Sequence, residues 1–294
     1  MIKNPEQKKK KALALQVIER LKKEYPDTHC TLSYEDAWQL LISVRLAAQC
    51  TDLRVDQVTP KLYEKFPTVA ALAAAPVEEI EKIVHPCGLG PSKARDIKKC
   101  MTVLHETYGD RVPDDFDALL SLPGVGRKSA NLVMGDVFGK PAIVTDTHCI
   151  RLCNLIGLVD DVKEPAKVEK LLWEIIPPEE GNQLCHRFVD HGRAVCVARR
   201  PQCDVCCLND ICRYATQQKT AADSAGAEKK TASKTPAKTA ASKPARKPAA
   251  AKTPAKKPAA AKPVPARKTP AKKPAASKTP AKTKKQTERE RQNG

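Results

Sequence analysis

The sequence predicts an all-α globular region of about 215 residues, followed by a basic tail without a fold of its own. Apolar residues recur at helical spacing from residue 6 to residue 191, and no segment alternates as a strand would. All 12 cysteines, all 5 tyrosines and both tryptophans precede residue 216. The first part can therefore bury a sizeable core, whereas the second cannot offset the entropy of ordering.

The first half of the globular region reads as a series of helices with short connections. A helix at 6–24 carries the lysine run Lys8–Lys11, which is typical of a solvated face. Ser33–Asp36 has the form of a capping box ahead of an apolar helix. Further helices are predicted from Asp52 to Phe66, at 68–75, at 77–84 after Pro76, and from a Ser92 cap to Leu104, with a loop at 85–91.

The second half continues the helical pattern. Leu122–Pro123 ends a short apolar helix, glycines at 124 and 126 form a turn, and another helix begins at Arg127. Helices at 147–155, 165–176 and 183–191 follow. The first turn of a helix has unpaired N–H groups and a positive dipole end, so this glycine turn suits phosphate binding, although an ordinary αα-hairpin has the same pattern.

Two residues near this hairpin have the chemistry of a catalytic pair. Lys128 lies in the first turn of the second helix, where the dipole disfavours its charged form, and a neutral amine is what a Schiff-base nucleophile requires. Asp146 precedes the next helix, where a carboxylate alone is explained equally well as an N-cap.

Four cysteines close together predict a metal site. The spacing C-x6-C-x2-C-x5-C of Cys196, Cys203, Cys206 and Cys212 suits zinc or an iron–sulfur cluster, and the single CxxC slightly favours the cluster. By spacing alone, Cys207 could replace Cys206. The site would be structural, and the other cysteines are expected to be small buried hydrophobes in a reducing compartment.

The positive charge is concentrated in the tail. Residues 216–294 contain 22 of the 52 Lys and Arg residues and 4 of the 34 Asp and Glu residues. The residues before 216 contain 30 basic and 30 acidic residues and are balanced. The unit KTPAK recurs in the tail, and its prolines oppose helices. We expect residues 215–294 to be disordered and to act as a sliding DNA tether, the alternative being an idle solubilising extension.

Together, LPGVGRKSA and VTDTH resemble the helix-hairpin-helix DNA glycosylases, specifically the endonuclease III family, and the likeness extends over residues 1–214. It implies a two-lobed fold: an N-terminal helix (1–29), a six-helix lobe (30–142) with the hairpin at 116–135, and an iron–sulfur lobe (143–214). It also implies that Lys128 is the nucleophile, that Asp146 assists it, and that the four cysteines hold a [4Fe–4S] cluster.

The resemblance also implies a set of DNA contacts. Gln49 and Leu89 match loop residues that enter the duplex, and Gly124, Gly126 and Arg127 match the DNA-binding hairpin. Where many relatives have an aromatic residue this chain has Gly90, followed by Pro91, which changes the loop that carries Leu89. Roles in DNA contact or structure are expected for His148, Arg151, His191 and Arg193.

The resemblance implies a bifunctional DNA glycosylase and AP lyase that removes damaged bases from duplex DNA. Oxidised pyrimidines are the expected substrates. The alternatives are a monofunctional mismatch or adenine glycosylase, which Lys128 opposes, and a non-enzymatic helix-hairpin-helix DNA-binding protein. No apolar run has the ~18 residues of a membrane span. We therefore expect a soluble monomer in the cytoplasm, associated with the nucleoid.

Overall fold

The computed structural model describes residues 5–220, and these residues are predominantly helical. The part of the tail from residue 221 onward, for which disorder is predicted, lies outside the described residues. The first eleven α-helices are, in chain order, α1 (Pro5–Glu24), α2 (Ala37–Ala47), α3 (Asp52–Lys65), α4 (Val69–Ala74), α5 (Val77–Val84), α6 (Gly90–Tyr108), α7 (Phe116–Ser121), α8 (Arg127–Asp136), α9 (Thr147–Ile156), α10 (Pro165–Trp173) and α11 (Gly181–Ala194).

The helices form two groups by packing. Helices α2 to α8 pack mainly on one another, while α1 joins α11, which also contacts α9. The chain therefore leaves one group after α1 and returns to it at α9. One continuous core, from Ala14 to Leu208, underlies both groups. Between residues 30 and 142 there are seven α-helices where the resemblance implies six; α4 and α5, which the sequence also predicts as separate helices, are divided at Pro76.

Some boundaries differ from the sequence prediction. Helix α2 begins after Asp36, and its Gln39 side chain accepts hydrogen bonds from the N–H groups of Glu35 (2.7 Å) and Asp36 (3.3 Å), so Ser33 is not the cap. Helix α6 begins at Gly90, two residues before the expected Ser92 cap, because Leu89 adopts a left-handed conformation that ends the loop.

The region of the four clustered cysteines contains the only regular strands within residues 5–220. The two-residue strands β1 (Cys196–Val197) and β2 (Arg200–Pro201) pair antiparallel. Strands this short show no alternation in a sequence, which is why none was predicted. Residues 213–220 are helical, so the part of the predicted disordered tail at 215–220 has regular structure. No helix within the described range is long and apolar enough to cross a bilayer.

Candidate active site

An open cleft of about 350 Å³ brings Lys128 and Asp146 together. Its lining comes from both helix groups and from the loop before α2. The residues that line it include His29, Cys30, Thr31, Leu32, Val44, Cys50, Asp52, Lys128, Leu132, Asp146, His148, Cys185, His186 and Arg193. Since amine and carboxylate face one space, the structure juxtaposes the two residues that the sequence singled out.

Lys128 is the second residue of α8 and is exposed at the hairpin. The turn before it requires glycine at position 124, where φ is +77° and an added Cβ would lie 2.9 Å from Asp96 Cβ. Gly126 is the N-cap of α8, and nothing lies within 4 Å of the place where its Cβ would be. The hairpin therefore packs closely at its first glycine and leaves the helix N-terminus open at its second.

A polar contact lies beneath the hairpin. Arg45 on α2 donates from Nε (2.8 Å) and Nη2 (2.6 Å) to Asp96 Oδ2 on α6. Both side chains are about three-quarters buried, and Asp96 is the residue that approaches Gly124. This ion pair fixes the surface on which the turn rests.

Asp146 is the N-cap of α9. Its Oδ1 accepts a hydrogen bond of 2.7 Å from the N–H of Cys149. The cap uses only one of the two carboxylate oxygens. The same side chain can therefore hold the helix start and present its other oxygen to a group in the cleft.

Asp52 is a cleft residue that sequence reasoning described only as the start of a helix. Its Oδ2 accepts from Thr31 Oγ1 and from Arg193 Nη2, each at 2.7 Å. Burial raises the pKa of Asp52, but these hydrogen bonds and the charges of Arg193 and Lys128 outweigh burial and hold the pKa below its ordinary value. A second carboxylate is thus kept ionised near Lys128. The sequence signal that could have indicated Asp52 is its place directly after residues 47–51, the segment that carries Gln49.

His148 lies at the contact of α9 with α11. Burial lowers the pKa of His148, Asp146 opposes that effect, and the charges of Arg151, Arg193 and Lys128 add to it. A Cβ at Gly192 would lie 2.3 Å from His148 Nδ1, so glycine is needed where the two helices meet. Arg151 donates to the carbonyl of Cys196 and joins this contact to the segment that carries the four cysteines.

Gln49 and Leu89 lie on exposed turns with left-handed backbones. Their φ values are +55° and +52°, which non-glycine residues adopt at a cost in strain. Leu89 is 54% exposed although it is apolar. The fully buried Lys93 donates from Nζ to the carbonyls of Leu46 (2.9 Å) and Cys87 (2.8 Å), and so connects the two turns from below.

Gly90 is closely packed at the start of α6. A Cβ there would lie 3.3 Å from His85, and Gly90 is itself buried as the first residue of α6. Pro91 follows in the first helical turn, where its missing N–H has no helical partner to lose. Leu89 is therefore the side chain that projects from this loop.

The Arg127 side chain is paired within the protein. Its Nε and Nη2 donate to the two carboxylate oxygens of Glu169, at 3.1 and 2.7 Å, and its guanidinium lies 5.0 Å from the Phe116 ring centroid. Glu169 is almost fully buried. The guanidinium therefore joins α8 to α10, a role that the sequence prediction of a DNA contact did not include.

The four clustered cysteines line one small, largely apolar cavity together with Leu152, Ile156 and Leu208. Cys206 Sγ lies 3.4 Å from both His191 Nε2 and the backbone N of Leu208, two groups that can donate to a thiolate. Cys207 does not line the cavity. Across residues 5–220, no three His, Cys, Asp or Glu side chains are arranged with metal-binding geometry. The sulfur donors nevertheless match the chemistry of an iron–sulfur cluster.

The fold and the cleft define a helix-hairpin-helix protein of the DNA glycosylase type. Residues 42–178 match the family model of the HhH-GPD superfamily base excision DNA repair proteins. Endonuclease III of Synechocystis sp. is 40% identical over 204 residues, or 69% of this chain and 93% of that protein. Endonuclease III of Escherichia coli is 39% identical over 204 residues, covering 69% and 96%.

A solved structure shows the same relation. A trapped endonuclease III–DNA covalent intermediate, an estranged-adenine complex, superposes with a TM-score of 0.68 at 41% identity and covers 71% of this chain and 98% of that one. The chain belongs to the endonuclease III family.

Proposed function

We propose that Lys128 is the Schiff-base nucleophile and Asp146 the assisting carboxylate of this enzyme, a DNA glycosylase and AP lyase of base-excision repair. The observation that carries the proposal is that the two side chains line one cleft, with Lys128 in the first turn of the hairpin helix. A DNA-bound covalent intermediate has been trapped for a related endonuclease III, which supports covalent chemistry between protein and DNA in this enzyme. Oxidised pyrimidines are the expected substrates.

The reaction begins with a nucleotide extruded into the cleft, because C1′ is inaccessible within the duplex. The neutral Lys128 amine attacks C1′, the glycosidic bond breaks, and the base leaves with the bonding electrons and takes up a proton. The amine passes a proton to O4′ as the C1′–O4′ bond breaks and the nitrogen lone pair forms the C1′=Nζ bond, which leaves a protonated Schiff base between Nζ and C1′ of the opened sugar. The C2′ proton is then removed, C3′–O3′ breaks with departure of the phosphate, and water releases Lys128.

Asp146 stabilises positive charge at the sugar or moves protons in these steps. The capping hydrogen bond to Cys149 fixes the direction of its carboxylate. Asp52, held ionised by Thr31 and Arg193, lines the same cleft. A cationic transition state is therefore matched by the Asp146 carboxylate, while the charge of Asp52 is paired with Arg193.

Gln49 and Leu89 are proposed to enter the duplex and fill the gap left by the extruded nucleotide. Their exposure on strained turns supports this role, because strain of this kind persists where a projecting side chain is needed. The N-terminus of α8 at Gly124, Gly126 and Arg127 would bind a phosphate through backbone N–H groups, and Gly126 leaves that approach open.

Cys196, Cys203, Cys206 and Cys212 are proposed to hold a [4Fe–4S] cluster. Their common apolar cavity and the donors around Cys206 support this assignment. The cluster would supply structural rigidity and no step of the reaction, since four thiolates leave no position for substrate. The excess of cations after residue 215 supports non-specific DNA binding by the tail, and with it an association with the nucleoid.

The function is tested on duplex oligonucleotides that carry either thymine glycol or a preformed abasic site. The wild-type enzyme should excise the base and cut the strand 3′ to the site, leaving the β-elimination product. Base release without strand cleavage would show a monofunctional glycosylase. Binding without either reaction would leave only a DNA-binding protein.

A further inference from the structure

A buried polar cluster lies at the end of α8 opposite Lys128. Asp136, the last residue of α8, accepts hydrogen bonds at Oδ1 from His186 Nε2 and Asn182 Nδ2 of α11, each at 2.8 Å. The Asp136 and His186 side chains are only 8% and 9% exposed. Asp136 Oδ2 and Asn182 Oδ1 are buried and have no hydrogen-bond partner among residues 5–220. Buried polar atoms without a protein partner are rare, and each calls for an explanation.

The cluster faces the cleft through His186. His186 lines the same cleft as Lys128, next to Cys30, Leu132 and Cys185. Burial and then the Asp136 charge raise the pKa of the Cys30 thiol to about 12, so Cys30 is a neutral thiol beside the carboxylate. This part of the cleft is thus an apolar wall with one ionisable pair set into it.

The spacing along α8 separates this wall from the reacting sugar. Lys128 and Asp136 are eight residues apart on one helix, roughly 12 Å along its axis at about 1.5 Å per residue. When C1′ of an extruded nucleotide is near Lys128 Nζ, its base extends away from the sugar and needs a wall some distance from the lysine. His186 lines the same cleft and is bonded to Asp136, at the end of α8 away from Lys128.

We propose that His186 is a contact for the extruded base, and that Asp136 is the positioning residue that orients its ring. Because Nε2 is bound to Asp136, Nδ1 is the ring nitrogen that remains for a ligand in the cleft. With Nε2 donating to Asp136, Nδ1 is left to hydrogen-bond the polar ring edge of a saturated or oxidised pyrimidine. The inference rests on the proposed glycosylase function and adds a residue that acts on the base alone.

His186→Gln is the informative variant. The glutamine amide can replace Nε2 as the donor to Asp136 but leaves no polar atom at the position of Nδ1. Single-turnover excision of thymine glycol should fall about tenfold or more, the effect of losing one hydrogen bond in a buried site. β-Elimination at a preformed abasic site should stay within about twofold of wild type, because that substrate has no base to contact.

Asp136→Asn is the companion variant, since it keeps an acceptor for His186 and can donate to the orphaned Asn182 Oδ1. It should retain more excision activity than His186→Gln. Melting temperature and iron–sulfur absorbance are recorded for each variant, so that a loss of folding is recognised. If His186→Gln does not fold, His186→Asn, which keeps a polar atom near Nδ1 and loses the Asp136 contact, is compared with His186→Ala and should excise more.

Unchanged excision by a folded His186→Gln enzyme would overturn the proposal. Equal losses of excision and elimination would also overturn it, since they would place His186 in the sugar chemistry. Equal excision by His186→Asn and His186→Ala would also overturn the proposal, because a polar atom near Nδ1 would then have no effect on excision. Failure of wild type to excise thymine glycol would instead contradict the proposed function, so the two failures are distinguishable.

Discussion

Asp146 combines a structural and a proposed chemical role in one side chain. Its Oδ1 caps α9 through the N–H of Cys149, and the carboxylate lines the cleft with Lys128. Loss of an N-cap costs roughly 0.5–2 kcal/mol, and asparagine caps as well as aspartate does. Asp146→Asn should therefore melt near the wild-type temperature while base excision falls by orders of magnitude, measured in single-turnover assays. Near-normal excision would leave Asp146 with the capping role alone.

Gly192 is a residue whose lack of a side chain is needed for packing. An added Cβ would lie 2.3 Å from His148 Nδ1 and 3.0 Å from Arg151 Nη2. We expect Gly192→Ala to displace His148 and to lower the free energy of unfolding by about 1–3 kcal/mol, the usual cost of overpacking. Urea denaturation measures the change. Gly126→Ala is the control, since nothing lies within 4 Å of that Cβ, and it should cost less than about 1 kcal/mol.

The candidate site was predictable where local sequence carries the signal and not where the fold assembles distant residues. Lys128 and Asp146 stand in short motifs that place them at helix starts, and both lie there in the structure. The pairing of Asp136 with His186 joins residues 50 positions apart, and no local pattern indicates it. The Glu169 partner of Arg127 was missed for the same reason.

At the level of elements, the helices were predictable because their apolar faces repeat at helical spacing, whereas several ends were not. Helix α6 begins at Gly90 because Leu89 takes a left-handed backbone, which sequence gives little reason to expect of a leucine. The β1–β2 pair is two residues long on each side, too short for a periodic signal. Helix ends depend on single backbone conformations, and helix interiors on many side chains.

The segment after α11 is proposed to bind a cluster through four of its five cysteines. Cys206 lines the common cavity and Cys207 does not. Purified protein should be yellow-brown with broad absorption near ~400 nm. Cys207→Ser should keep that absorption and Cys206→Ser should lose or weaken it, with iron and sulfide measured in parallel. Colourless protein with stoichiometric zinc would contradict the cluster, and the reverse pattern of the two variants would reassign the ligand.

At the scale of the whole chain, the net positive charge is concentrated after residue 215. Residues 216–294 contain 22 Lys and Arg against 4 Asp and Glu, while the preceding part is balanced. Binding that neutralises Z phosphates gives a log–log salt slope of about −0.9Z on duplex DNA. If a third of these cations engage, truncation after Thr220, which keeps the helical residues 213–220, should flatten the slope by roughly five or more units.

The truncated and full-length enzymes are compared by titration on undamaged duplex across a range of salt concentrations. Single-turnover cleavage at saturating enzyme should be equal, because Lys128 and Asp146 lie within the part retained. Equal salt slopes would make the tail idle. Loss of cleavage at saturation would give the tail a part in the active complex.

Borohydride trapping on an abasic-site duplex tests the assignment of Lys128 most directly. Reduction converts the Schiff base into a stable protein–DNA adduct, and proteolysis with mass spectrometry identifies the attached lysine. Wild type and Lys163→Gln, a control that removes a lysine whose side chain is 85% exposed, should trap equally, with the sugar remnant on Lys128. Lys128→Gln should bind the duplex but give neither adduct nor strand cleavage. Trapping at wild-type levels by Lys128→Gln, or an adduct on another residue in wild type, would contradict the assignment.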